Sequence, residues 1–300
     1  MKLSTTAAFS GQMGCCSLLK ASTIFLGMIG LLNVPIMADF ISEFDVTWSK
    51  DHVNVLNGGN SLQLKLDQAS GSGFASKSSY LFGDIRMDIK LVPGDSAGTV
   101  TAYYFSSQSA NRDELDFEFL GNVSGQPYVL QTNVFANGQG GREERIFLWF
   151  DPTAAFHTYS VLWTRNHIMF SVDSIPIRVF ANNKALGVAY PSSQPMNVFS
   201  SIWNGDSWAT RGGLEKINWN YAPFVASYQN FQADACVSSQ SDPNQSCTAS
   251  SKWGQSTTFQ SLSSDQASRL KAVRQNYMVY DYCKDTQRYP TAPPECSHEA

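Results

Sequence analysis

The sequence predicts an all-β protein, an antiparallel β-sandwich followed by a small C-terminal extension that contains a short helix. Two observations carry this. From Phe40 to about Tyr228, short runs alternate apolar and polar residues between Gly, Asn, Ser and Pro punctuation, the pattern of half-buried antiparallel strands. After Phe231 the alternation gives way to a Ser/Gln/Asn-rich connection, Val237 to Ser256, and then to helical spacing. No internal repeat or low-complexity linker interrupts the strand-rich part, which implies one sandwich rather than an array.

Met1 to Ala38 has the character of a signal peptide: Lys2 and Lys20, no acidic residue, an apolar run from Thr23 to Leu32, and Ile36-Met37-Ala38 as a cleavage site before Asp39. Gly27, Gly30, Asn33 and Pro35 break the run short of the ~20 apolar residues that span a bilayer, which favours secretion over a membrane anchor. The expected division is therefore 1–38 signal peptide, 39–231 β-domain and 232–300 extension. Ser61 to Leu66, Gly83 to Leu91 and Tyr159 to Trp163 are representative strands. The helix is expected over about Ser264 to Tyr277, where Leu270 and Val273 share a face and Ser264 or Asp265 can cap.

Asp113-Glu114-Leu115-Asp116-Phe117-Glu118-Phe119-Leu120-Gly121 is the chemically loaded strand. A period of two puts Glu114, Asp116 and Glu118 on one face and Leu115, Phe117 and Phe119 on the other. Asp113 makes a fourth acid within six residues of a chain that is only 15% charged, so a merely solvated acidic face is the weaker reading. Carboxylates roughly 7 Å apart on one strand face repel, and the repulsion is expected to hold at least one protonated near working pH. Two carboxylates flanking a bond are the working parts of glycoside hydrolysis. Glu114 and Glu118 lie about 13 Å apart at Cα on a straight strand, so spacing alone leaves the stereochemical course open.

Composition excludes several classes. The formal charge is −4, more negative once Lys2 and Lys20 are removed, and no basic stripe offers itself to nucleic acid. His52, His157, His167 and His298 are scattered and no CxxC spacing occurs, so neither a catalytic metal nor another cofactor is expected. Cys15 and Cys16 leave with the signal segment. Cys236, Cys247, Cys283 and Cys296 remain; four cysteines allow three pairings, and the short separations favour Cys236–Cys247 and Cys283–Cys296. At 13% aromatic, with Trp203 and Trp208 in a Gly- and Asn-rich loop from Ser201 to Gly213, the chain offers flat rings suited to the apolar faces of sugars, though both tryptophans can equally be core plugs. Asn122-Val123-Ser124 and Asn244-Gln245-Ser246 are N-glycosylation sequons.

The run Asp113 to Gly121 resembles the active-site strand of the plant xyloglucan endotransglucosylase/hydrolases of glycoside hydrolase family sixteen, whose motif usually reads His-Asp-Glu-Ile-Asp-Phe-Glu-Phe-Leu-Gly. Arg112 stands for the His and Leu115 for the Ile, neither replacing a carboxylate. The resemblance extends over nearly all of the chain after Ala38, including the Trp loop, the cysteine pairs and Tyr277 to Pro290, which resembles the family's C-terminal extension. It implies a curved jelly roll whose concave face holds the glucan, with the extension completing the acceptor cleft.

It further implies Glu114 as nucleophile, Glu118 as general acid then base, and Asp116 as a modulator hydrogen-bonded to Glu114. Gln131, Thr132 and Asn133 resemble the sugar-binding strand beside the catalytic one, with the amides of Gln131 and Asn133 on one face. Gly141, Arg142 and Glu143 resemble a second sugar-contacting segment, with Gly141 where many relatives have Asp; Arg142 and Glu143 read alternatively as a surface ion pair. Trp203, Ser207, Trp208 and Gly212 match the loop shaping the acceptor side. Arg288 occupies a position that reaches the sugar, or else is solvated in a turn before Pro290. One of Tyr103 and Tyr104 is expected in the core, the other available for stacking.

The expected activity is that of a secreted, monomeric cell-wall enzyme of the apoplast. It would cut the β-1,4-glucan backbone of a xyloglucan donor and pass it to a xyloglucan acceptor, in cell-wall construction and remodelling. It would bind no nucleic acid and, after signal removal, no membrane. The short stretch from Phe180 to Tyr190 favours transfer, because hydrolase-type relatives carry longer cleft loops there. A predominantly hydrolytic xyloglucanase or mixed-linkage glucanase is the alternative. A non-catalytic glucan-binding wall protein is the third, disfavoured because both glutamates are present.

Overall fold

The computed structural model of the chain describes residues 39–238, 247 and 261–297. The expected signal peptide, the sequon at Asn244 and most of the Ser/Gln/Asn-rich connection lie outside the described residues. A helical turn, Phe40–Glu43, opens the fold. The strands that follow are β1 (Phe44–Trp48), β2 (Val53–Leu56), β3 (Ser61–Leu66), β4 (Ser72–Lys90), β5 (Thr99–Ser106), β6 (Glu114–Leu120) and β7 (Val129–Phe135). Next come β8 (Glu144–Phe147), β9 (His157–Trp163), β10 (His167–Val172), β11 (Ile175–Ala181), β12 (Met196–Asn204) and β13 (Phe224–Ser238). The helix Ser264–Tyr277 and β14 (Met278–Asp281) complete the chain.

All these pairings are antiparallel, and the strands form one continuous, open hydrogen-bonded sheet folded into two layers. The fold turns on β4. Its first half pairs with β12 and its second half with β9, so one long strand serves both layers. The change of partner falls at Phe82 and Gly83, both at positive φ, where a Cβ on Gly83 would lie 2.3 Å from that of Ala235. Glycine is needed there because another strand passes too close for a side chain. The Gly83 to Leu91 run read from the sequence is thus the second half of a longer strand.

One layer runs β4-β12-β5-β6-β7-β8-β14 and carries the acidic strand near its middle. Its inner face meets the other layer through aromatic rings. Phe117 of β6 packs edge-on against Phe170 of β10 at 5.2 Å, and Phe119 against Tyr159 of β9 at 4.7 Å. Such pairs stabilise by about 0.5–1.5 kcal/mol beyond simple burial. They fix β6 in register, which decides that its acids face outward together.

The change of character after Phe231 does not end a strand. β13 continues to Ser238 through a positive-φ residue, Asn230, and a register shift between Gln229 and Gln232. That bulge breaks the alternation a sequence reading depends on. The helix Ser264–Tyr277 buries Leu270 and Val273, and its cap is Ser263 rather than Ser264 or Asp265. Ser263 accepts from the Gln266 backbone N–H while the Gln266 side chain accepts from the Ser263 N–H, a reciprocal box that satisfies two helix-end donors. β14 then adds to β8 as the outer strand of the acid-bearing layer. Disulfides join Cys236 to Cys247 and Cys283 to Cys296.

Candidate active site

A cleft of about 550 Å³ opens on the outer face of the β6 layer. Cross-strand pairing builds its floor in rows. Glu114 lies between Ser106 on β5 and Phe135 on β7, Asp116 between Tyr104 and Asn133, and Glu118 between Ala102 and Gln131. Partners in antiparallel strands point to the same side, so one register brings the acids, amides and rings to one surface. Tyr104 faces the cleft and stacks on Phe199 at 5.1 Å, while Tyr103 is buried. Trp203 and Trp208 are half-buried, 5.9 Å apart, and line the cleft beyond Glu118; they are neither core plugs nor free rings.

The three acids differ in surroundings. Asp116 is 7% exposed; burial first, then the charges of Glu114 and Glu118, holds its carboxyl well above the usual carboxylate range. Burial also raises Glu118, opposed by the hydrogen bond that Gln131 Nε2 donates to its Oε2 at 2.5 Å. Two carboxyls are therefore kept protonated to higher pH as expected, but desolvation is the larger cause and like-charge repulsion the smaller. Glu114 is gripped by Arg112, whose Nε donates to Oε2 at 2.8 Å and Nη2 to Oε1 at 3.3 Å. The hydrogen bonds of Glu114 are to Arg112 rather than to Asp116. Asp113 is turned inward, where its Oδ1 accepts from the Asn137 N–H, so the fourth acid anchors a turn.

The other candidate residues divide. Gln131, Asn133, Glu143, Trp203, Trp208 and Arg288 line the cleft with the carboxylates. Thr132 does not: it belongs to the inward row of β7, where its carbonyl and hydroxyl accept from the buried Arg178. Arg142 is also turned away, its Nε donating to Glu295 at 2.6 Å and its Nη1 to the Gln139 carbonyl at 2.5 Å. Arg142 and Glu143 therefore form no pair; neighbours in extended backbone point opposite ways, and Glu143 is held instead by Arg288 Nη1 at 2.5 Å.

Gly141 has φ +80, and a Cβ there would lie 2.5 Å from the Tyr289 hydroxyl, which donates to the Gly141 carbonyl. Its place is a close approach of backbone to the extension rather than a polar contact. Ser207 is exposed on its loop outside the cleft wall, and Gly212 lines a neighbouring groove with Asn122. Asn122 starts the turn after β6, its Nδ2 donating to the Pro127 carbonyl at 3.0 Å. Arg145, Tyr280, Phe135 and Ser201 complete the lining and were not singled out from the sequence. Alternation continued from Glu143 would have found Arg145; Tyr280 is visible only once β14 is paired with β8.

Comparison with known proteins identifies the family. Residues 40–221 match the family described as glycosyl hydrolases family 16, and residues 248–296 match the xyloglucan endo-transglycosylase C-terminus. Xyloglucan endotransglucosylase protein 34 of Populus tremula x Populus tremuloides is 53% identical over 285 residues, covering 92% of this chain and 97% of that protein. Probable xyloglucan endotransglucosylase/hydrolase protein 5 of Arabidopsis thaliana is 52% identical, covering 95% and 96%. Among solved structures, the apo Crh5 transglycosylase superposes with a TM-score of 0.56 at 24% identity, covering 69% of this chain and 88% of that one. A prokaryotic β-1,3-1,4-glucanase from a mouse hindgut metagenome reaches 0.53 at 20% identity, covering 65% and 94%. These two share the fold. The 182-residue family match (40–221) and relatives more than half identical over almost their whole length place the chain in glycosyl hydrolase family 16, among the xyloglucan endotransglucosylase/hydrolases.

Proposed function

We propose that the chain is a secreted xyloglucan endotransglucosylase acting by double displacement. Glu114 attacks the anomeric carbon of a backbone glucosyl residue while Glu118 donates its proton to the departing glycosidic oxygen, giving a glycosyl-enzyme and a shortened chain. The 4-hydroxyl of another xyloglucan end then attacks the same carbon, Glu118 takes its proton, and Glu114 leaves as carboxylate. Asp116, buried between them, moderates the charge that both steps move.

The observation that carries this reading is the split environment of three acids on one strand face. Glu118 is desolvated and held protonated to higher pH, as an acid must be, while Glu114 lies against the Arg112 cation. The aromatic surfaces beyond Glu118 support transfer over hydrolysis, since rings that stack on an acceptor sugar favour it over water. In this reading residues 39–231 carry the reacting groups and residues 232–300 complete the acceptor side through Tyr280 and Arg288. The protein works as a monomer in the cell wall, with Asn122 glycosylated beside the acceptor groove.

Incubation with xyloglucan and a labelled xyloglucan oligosaccharide, followed by size separation, tests the activity. Label is expected to move into polymer. Shortening of polymer without label uptake would make the enzyme a hydrolase, and binding without either change would make it a glucan-binding wall protein.

A further inference from the structure

Glu118, Gln131, Arg145 and Tyr280 are successive cross-strand partners on β6, β7, β8 and β14, forming one row from the acid-bearing strand to the C-terminal extension. Contacts run the length of the row. Tyr280 presents its ring to the Arg145 guanidinium at 5.2 Å. Arg145 Nε donates to Gln131 Oε1 at 2.6 Å, and Gln131 Nε2 donates to Glu118 Oε2 at 2.5 Å. A glutamine amide can present either its oxygen or its NH₂ to a neighbour. Arginine only donates, so it claims the oxygen and leaves the NH₂ for Glu118.

We infer that Arg145, braced by Tyr280 of the extension, is a positioning residue that locks the Gln131 amide with its NH₂ toward Glu118. This rests on the assignment of Glu118 as acid and base, and gives the extension a part in the chemistry beyond walling the cleft. An NH₂ donor favours the ionised carboxylate, the form that must take the acceptor's proton. A turned amide would offer an oxygen, which favours the protonated form.

The lock opposes the burial that raises Glu118. The charges facing Glu118 are Glu143 from the segment before β8, held by Arg288 of the extension, Arg145 itself, whose cation also lowers Glu118 directly, and Glu114 and Asp116 on its own strand. β5 presents only Ala102 and Tyr104, and β12 presents Ser201 and Trp203.

The experiment compares Arg145→Gln, Arg145→Lys, Tyr280→Leu, Gln131→Ala and the double variant Arg145→Gln/Gln131→Ala, using the full chain and xyloglucan with labelled acceptor. The alkaline limb of kcat/KM reports loss of the proton from Glu118. In Arg145→Gln it is expected to move up by about half to one pH unit, with kcat about tenfold lower. Tyr280→Leu should give a smaller shift the same way, and Arg145→Lys should restore part of it. The decisive arm is the double variant: Arg145 also acts on Glu118 directly by its charge, so once Gln131 is alanine, losing Arg145 should still move the limb, but clearly less than it does with Gln131 in place.

Additive shifts would overturn the inference and leave Arg145 acting by its charge alone, and a rise in acceptor KM with an unmoved pH profile would overturn it and make Arg145 a sugar contact. Failure of the underlying assignment looks different, because turnover in Glu118→Ala would persist with its alkaline limb unchanged. Thermal midpoints of all variants identify any that do not fold, and Tyr280→Leu, outside the β6–β8 core, keeps the question open to refutation.

Discussion

Glu114→Ala is expected to lose turnover by at least about 10⁴-fold while still binding xyloglucan. Removing a nucleophile eliminates the covalent route, and what remains is positioning alone. Binding should survive because the aromatic and amide surfaces, Trp203, Trp208, Tyr104, Gln131 and Asn133, are carried by β5, β7, β12 and the loop after β12 rather than by β6. The fold should survive as well. The released partner, Arg112, has a side chain 47% exposed and can be solvated, and loss of the Glu114 charge removes one of two like charges from beside Asp116. The checks are the label-transfer assay and affinity electrophoresis in xyloglucan. Retained turnover would sink the assignment of Glu114, whereas loss of binding with turnover would show that the carboxylate holds the sugar as well.

Arg142→Ala is expected to destabilise the protein by about 3–5 kcal/mol, the usual result of stripping one partner from a buried ion pair. Glu295 is 3% exposed, and among the described residues its other hydrogen bond comes from the Tyr282 hydroxyl at 3.5 Å. It would be left as a buried carboxylate with no cation. The pair also joins the extension, next to the Cys283–Cys296 bridge, to the segment between β7 and β8. Urea or thermal unfolding with the disulfides intact measures the effect. The sugar-contact reading of Arg142 predicts the opposite signature, a weaker acceptor affinity at unchanged stability. Replacing both partners by apolar residues of similar volume should recover much of the loss, since the penalty comes from the unpaired charge.

Period-two patterning made the acid-bearing strand legible: Glu114, Asp116 and Glu118 face out and Leu115, Phe117 and Phe119 face in, as the register confirms. The same rule applied to β7 separates Gln131 and Asn133 from Thr132, although family likeness had grouped all three. Likeness assigns segments, whereas alternation assigns side chains, and for Thr132 and Arg142 the second governs. Arg112 reads as a harmless replacement in the sequence. Only the turn between β5 and β6 shows that it reaches forward two residues to grip Glu114. Long-range pairings hid the rest. Nothing near Arg145 in sequence announces Tyr280, and the end of β13 was blurred by the bulge at Asn230. The helix cap was missed by one residue, the ordinary reach of a local pattern.

Turnover is expected to pass through a covalent intermediate on Glu114. A xyloglucan oligosaccharide carrying fluorine at C2 and a good leaving group at C1 slows both steps but lets the first proceed, so the glycosyl-enzyme accumulates. Mass spectrometry of the intact protein and of its peptides then locates the added sugar. A gain of one glycosyl unit on the peptide bearing Glu114, bonded at that side chain, is the expected result. The sugar on Glu118 instead, or no adduct while turnover of natural xyloglucan continues, would contradict it.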